Sequence, residues 1–318
     1  MGEVDNNYKN RSFIVKGIGV LLLFLGMSAA IIGPYEIYAF YLFSKGGSFH
    51  YEGFGFGSFM FANIVWQIIG YYAIASICIP LGFGHLRLRK WIIPIMQSLL
   101  WDGLIVGIPL IIVFLFMLSV KDLSFVASIF VIILLAFLYL AGQIILIRFY
   151  KSQNVRMLLE NYDPRSYQIE SIPISILVLT FLFIFYVVIL HVPLFFNGIY
   201  PLFGKWLSGI QGFIAFDISI IILSLLTWGT FKQNYLAWIG SIIYFCILTS
   251  SVLITLLLSS KSDILLLMKF PAREMKLLEN VPLHGIHFIP FIVIPLLITL
   301  IVILLSRRYF NKGISIKH

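Results

Sequence analysis

The chain has 318 residues, of which 61% are hydrophobic and only 11% charged. A soluble domain carries roughly 25% charged residues, so this composition excludes a water-soluble globular protein and implies that lipid solvates most side chains. The formal charge of +9 is spread over short connections and termini, with no dense basic run interleaved with aromatics. Nucleic acid is therefore excluded as a partner, and the lipid bilayer is the implied surrounding.

A helix needs about 20 apolar residues to cross the hydrocarbon core. Runs of that kind predict spans near 14–34, 58–83, 91–118, 124–147, 173–192, 211–230, 236–259 and 287–305. The first run begins at Phe13, passes Ser28-Ala29-Ala30 and continues to Phe43, longer than a signal peptide's apolar region, and so reads as an uncleaved span. Within it, Gly33-Pro34 predicts a break. Pro34 would open a following helix and Glu36 would sit as a third-position acid near its N-terminus, in an interfacial setting among Tyr35, Tyr38 and Tyr41.

The connection 49–57 alternates glycine with aromatics and reads as a flap or as a loop in the headgroup layer. It is no phosphate cradle, because no strand precedes it. Asn63 and Gln67 lie in the second span and can hydrogen-bond between helices. Asp102, in the third span, lies beyond Lys90 by about 18 Å of helical rise, near mid-membrane. Exposing an ionised aspartate there costs at least ~2.5–3.5 kcal/mol, so Asp102 is expected to face the bundle, pair, or take a proton. Gln97 and Ser98, one turn earlier, are candidate partners, and Gly103 and Gly107 form a small-xxx-small pair that admits a neighbouring helix.

Asp217 stands about 9 Å inside the sixth span, on a face continued by Ser224 and Thr227. The segments 201–206 and 264–270 read as interfacial. Pro80, Pro94, Pro109, Pro290 and Pro295 each remove a backbone donor within a span and invite a kink. Cys78 and Cys246 fall inside spans and are expected as two buried apolar thiols with no disulfide between them.

Arg87, Arg89 and Lys90, then Arg148, Lys151, Arg156 and Arg165, together with Lys232 and the basic residues of both termini, put 15 of the 22 Lys and Arg on one side. By the positive-inside rule that side is cytoplasmic, with both termini there. His284-x-x-His287 with Glu52 or Glu279 is a conceivable metal set, but Pro282 and Gly285 argue against a regular helix and no H-E-x-x-H occurs. No metal or cofactor is expected. No G-x-S-x-G is present either, so Ser–His–Asp catalysis cannot be assembled from the spacing.

The expected fold is thus an all-α polytopic integral membrane protein, a single transmembrane domain over 1–318 with about eight spans, in the plasma membrane. The leading functional expectation is a carrier or permease whose substrate or ion site draws on Asp102, Asp217, Glu36, Gln67 and Asn63. Two alternatives stand beside it. One is a non-catalytic membrane subunit or anchor docking partner membrane or peripheral subunits; the other is a membrane-embedded enzyme acting on a lipid or quinone at the outer face.

Overall fold

A computed structural model describes residues 7–51, 53–118, 125–279 and 285–310. The chain is almost entirely helical: α1 (Asn7–Phe43), α2 (Phe59–Leu86), α3 (Ile92–Leu118), α4 (Phe125–Lys151), α5 (Gln153–Tyr162), α6 (Ile174–Ile189), α7 (Ile210–Phe231), α8 (Tyr235–Leu258), α9 (Lys261–Met268), α10 (Ala272–Glu279), α11 (Gly285–Leu305) and α12 (Arg307–Phe310). Among the described residues, α1, α2, α4, α6, α7, α8 and α11 are long and apolar enough to cross a membrane. Helix α3 runs for 27 residues, and its fully described part, Ile92–Gly107, is apolar. The architecture is that of an all-α, multi-pass integral membrane protein.

Local sequence sets the helix ends. Ser58 Oγ accepts from the Phe61 N–H and Asn234 Oδ1 accepts from the Leu236 N–H, each satisfying a donor at the start of α2 and α8. Pro173 precedes α6, where a missing N–H costs nothing.

Two expectations are corrected, the break at Gly33-Pro34 and the burial of both thiols, and two connections gain structure of their own. The chain does not break at Gly33-Pro34: α1 runs 37 residues straight through Pro34, about 55 Å, well beyond the ~30 Å hydrocarbon core. Glu36 is therefore a mid-helix residue and not an N-terminal acid. The ring of Tyr72 packs on Gly33, so α2 backs α1 where proline has removed a donor.

The segment 201–206 is not a bare interfacial stretch but a hairpin, β1 (Tyr200–Leu202) antiparallel to β2 (Lys205–Leu207), turned by Phe203 and Gly204 at φ 44° and 90°. Ser251 and Thr255 of α8 accept from the Phe203 and Gly204 N–H groups at 3.0 and 2.9 Å, so the turn is seated on that helix. The thiols are less buried than expected: Cys78 is half-buried and Cys246 exposed on the bundle surface. Finally, the aromatic connection 49–57 is folded onto the bundle. Phe54 and Phe56 pack with Phe40, Phe61, Phe195 and Phe213.

The core falls into three clusters. One joins α6, α7, α8 and α11, centred on the Phe183–Phe245 stack at 5.1 Å. A second joins α1 to α5 at the basic end through Val15, Leu81, Ile92, Tyr150 and Leu158. The third, around Ile105, Val178 and Leu182, lies where α3 meets α6 and α11. Helices α1 and α2 pack chiefly on each other, and touch the remaining helices mainly near their two ends.

Candidate functional site

Asp102 lies on the buried stripe of α3 formed by Ser98, Asp102 and Ile105, one helical turn apart. It is 8% exposed, and among the described residues neither carboxylate oxygen has a hydrogen-bond partner. The stripe faces the junction with α6 and α11, where Tyr186 packs on the cluster of Ile105, Val178 and Leu182. Tyr186 in turn is hydrogen-bonded to Thr299 Oγ1 of α11 at 2.8 Å, and Thr299 donates to the Pro295 carbonyl at 2.7 Å.

The polar neighbours expected to serve Asp102 are engaged elsewhere. Gln97 Nε2 donates to the Tyr150 carbonyl of α4 at 3.0 Å, and Ser98 Oγ donates to the Pro94 carbonyl at 2.8 Å. The glycines beside Asp102 do admit a helix: the Tyr139 hydroxyl of α4 donates to the Gly103 carbonyl at 2.7 Å, and a Cβ at Gly107 would come within 2.1 Å of that hydroxyl. The result is a closely packed setting beside a carboxylate with no hydrogen-bond partner among the described residues.

Three other candidates are brought together. Gln67, with its amide oriented by its partners, donates from Nε2 to both Glu36 oxygens at 3.1 and 3.2 Å and accepts from Asn63 Nδ2 at 3.0 Å. This chain of α1 and α2 groups is half-exposed, with Asn63 at its open end. Asp217 joins neither group: it is exposed on the outer face of α7, as is Ser224. Asp102 thus lies inside the bundle and Asp217 on its outer surface, and the fold does not bring the two carboxylates together. Glu52 and His284 lie outside the described residues, as does the side chain of His287, whose backbone opens α11. Among the described residues no cluster of three His, Cys, Asp or Glu is placed to hold a metal.

Sequence reasoning missed three polar ties. His85 is fully buried, its Nδ1 donating to the Leu81 carbonyl at 2.6 Å. A carbonyl can only accept, so in the neutral ring Nε2 accepts from the Tyr150 hydroxyl, also at 2.6 Å. Asp163 is 1% exposed and receives Arg89 Nη1 at 3.2 Å, the Tyr167 hydroxyl at 2.9 Å and the Lys90 N–H at 3.4 Å. Burial pushes its pKa up, but these hydrogen bonds and the guanidinium charge outweigh burial and hold the carboxyl below the usual aspartate range. At the other end, the buried Glu274 of α10 accepts from the Phe59 and Met60 N–H groups at 2.7 and 3.4 Å, capping α2 with a negative charge. Arg89 and Lys90, topology signals in the sequence, also bind Asp163 and Glu170 respectively.

An open depression at the basic end is lined by Gln168, Ile169, Ser171, Ile172, Phe231 and Lys232; Asp102 takes no part in it. No family model matches the chain, and no match is found among curated proteins or solved structures.

Proposed function

We propose that this protein is a carrier of the plasma membrane, with its basic end in the cytoplasm, which couples movement of a small solute to an ion bound at Asp102. The observation that carries the reading is the buried Asp102 carboxylate, held at a junction of three helices with neither oxygen hydrogen-bonded among the described residues. An orphaned acid in that setting is costly, and proteins retain such groups where they bind or relay an ion. Pro290 and Pro295 inside α11, which packs on the Ile105 cluster beside Asp102, each remove a backbone donor, a feature carriers use around a central site. Glu36, Gln67 and Asn63 form a second polar group, open at Asn63 and suited to meeting a substrate on the face of the α1–α2 hairpin from the outer half of the membrane.

The test is uptake into proteoliposomes under an imposed proton or sodium gradient, using a panel of labelled amino acids, sugars, organic cations and organic anions. The wild-type chain is expected to accumulate a member of the panel, and Asp102→Asn to lose gradient-driven accumulation while keeping its fold by thermal melt. Equal accumulation by both proteins would overturn the reading.

A further inference from the structure

We propose that the depression at the basic end binds an anionic phospholipid, with the headgroup phosphate held by Lys232 and one acyl chain laid along the outer face of α7. The inference goes beyond the carrier reading and does not need it. The depression, about 470 Å³, lies between the 3-10 turn Gln168–Ser171 that precedes α6 and the last residues of α7. Its lining is split by polarity: Gln168 and Lys232 supply N–H donors, while Ile169, Ile172 and Phe231 supply apolar surface. A ligand that satisfies both halves is itself amphipathic.

Charge sets the sign of the headgroup. Among the described residues no carboxylate is paired with Lys232, and Glu170, the acid within the lining segment, is taken by Lys90 at 3.2 Å. The Lys232 ammonium sits 4.9 Å from the centre of the Trp228 ring, which anchors it on α7 and leaves its N–H donors to a ligand. A lysine in bulk water needs no anion, but this one is held over an indole at the edge of the hydrocarbon, where the leaflet's phosphates lie. Two buried hydroxyl oxygens adjoin the lining in the chain, Ser175 one turn past Ile172 and Thr230 just before Phe231, and neither has a hydrogen-bond partner among the described residues. Such groups are few in native proteins, and two at one end of the α6–α7 pair mark a place where oxygens from outside the chain complete the bonding. The apolar half continues out of the depression. Phe231 stacks on Trp228 at 6.4 Å, and Trp228, Leu225, Ile221 and Ile218 follow at spacings of three and four, all exposed on one face of α7. From Trp228 to Ile218 the rise is about 15 Å, one leaflet of the ~30 Å core. Every transmembrane helix meets acyl chains; this stripe differs in running into a cation and a polar depression.

Quenching of tryptophan fluorescence by brominated lipids tests this on the full chain in phosphatidylcholine vesicles. The Trp228 signal is the part lost in Trp228→Phe. Brominated phosphatidylglycerol is expected to quench it about fivefold more effectively, at equal mole fraction, than brominated phosphatidylcholine, the ratio that one lysine gives at an anionic surface. Lys232→Gln should remove the preference, and Lys232→Arg should keep it. Equal quenching by the two lipids would mean ordinary boundary lipid, and a preference unchanged in Lys232→Gln would place the anion elsewhere; either result overturns the proposal. Glycerol phosphate added to the water separates a lipid from a free phosphate. The lipid preference is expected to persist in its presence, and displacement would show a site for a soluble phosphate and overturn the proposal as well. None of these readouts involves Asp102, so the carrier reading stands or falls separately.

Discussion

Asp163 shows how a single side chain ties one end of the bundle. Its carboxyl joins the turn between α2 and α3 to the segment after α5, and its folded pKa is lower than its unfolded one. A depressed acid stabilises the fold at every pH above its unfolded value, and that contribution fades as pH falls through the folded value. Thermal melts of the purified chain are therefore expected to lose stability from about pH 3.8 downward. Asp163→Asn should lower stability at neutral pH by about 1–3 kcal/mol, since it replaces charged hydrogen bonds to a buried group, and should flatten the acid dependence. An Asn variant with wild-type stability and an unchanged acid limb would show that the tie contributes nothing. Gly107 makes the opposite point, where a missing atom matters. A methyl group there would sit 2.1 Å from the Tyr139 oxygen and 2.7 Å from its ring, so Gly107→Ala is expected to cost about 1–3 kcal/mol. Tyr139→Phe in the same chain should recover part of that loss in a denaturation series, because it removes the nearer atom and leaves the ring.

At the scale of elements, the apolar runs placed the helices well: the predicted span 58–83 is α2 at Phe59–Leu86, and 236–259 is α8 at Tyr235–Leu258. Hydropathy works here because every backbone group in lipid must be bonded within its own segment, which leaves the helix as the only open choice. It says nothing about how helices pair, and the α1–α2 pairing was missed for that reason. Its signal was nonetheless present as glycine at Gly19, Gly26 and Gly33, a seven-residue period that brings three small residues to one face. An added Cβ would meet His85 at 2.7 Å, Ile79 at 2.7 Å and Tyr72 at 3.1 Å, respectively. Gly26→Val is accordingly expected to part α1 from α2, at a cost of about 1–3 kcal/mol read by thermal melt, whereas Gly17→Val, with open space around it, should be neutral. The opposite tie, Glu274 on the α2 N-terminus, was illegible because its partners lie more than two hundred residues away in sequence. Glu274→Ala should speed amide exchange at Phe59 and Met60, and Glu274→Gln, which keeps an acceptor oxygen, should do so less. Of the candidate site, burial of Asp102 followed from hydropathy, but its surroundings did not: Gln97 and Ser98 are bonded to the backbone, and α6 and α11 pack on the same stripe of α3 although no spacing rule connects them to it.

For the whole molecule, these ties define two bodies: an α1–α2 hairpin, and the remaining helices. The hairpin is fastened at the basic end by His85 to Tyr150 and by Arg11 to Ser152, and at the opposite end by Glu274 and the Phe61–Phe195 contact. Between those fastenings it packs mainly on itself. A carrier must expose its site to one side and then the other, and bodies joined only near their ends can rock without breaking a central core. The two cysteines report on this directly, since the half-buried Cys78 lies in α2 and the exposed Cys246 in α8, one on each body. Spin labels on these native thiols are expected to give two distance populations, because a hairpin fastened only near its ends can rock against the rest of the bundle. In Glu274→Ala the longer distance should gain weight, with one end of the hairpin released. A single narrow distance, unmoved by Glu274→Ala, would make the hairpin a fixed wall.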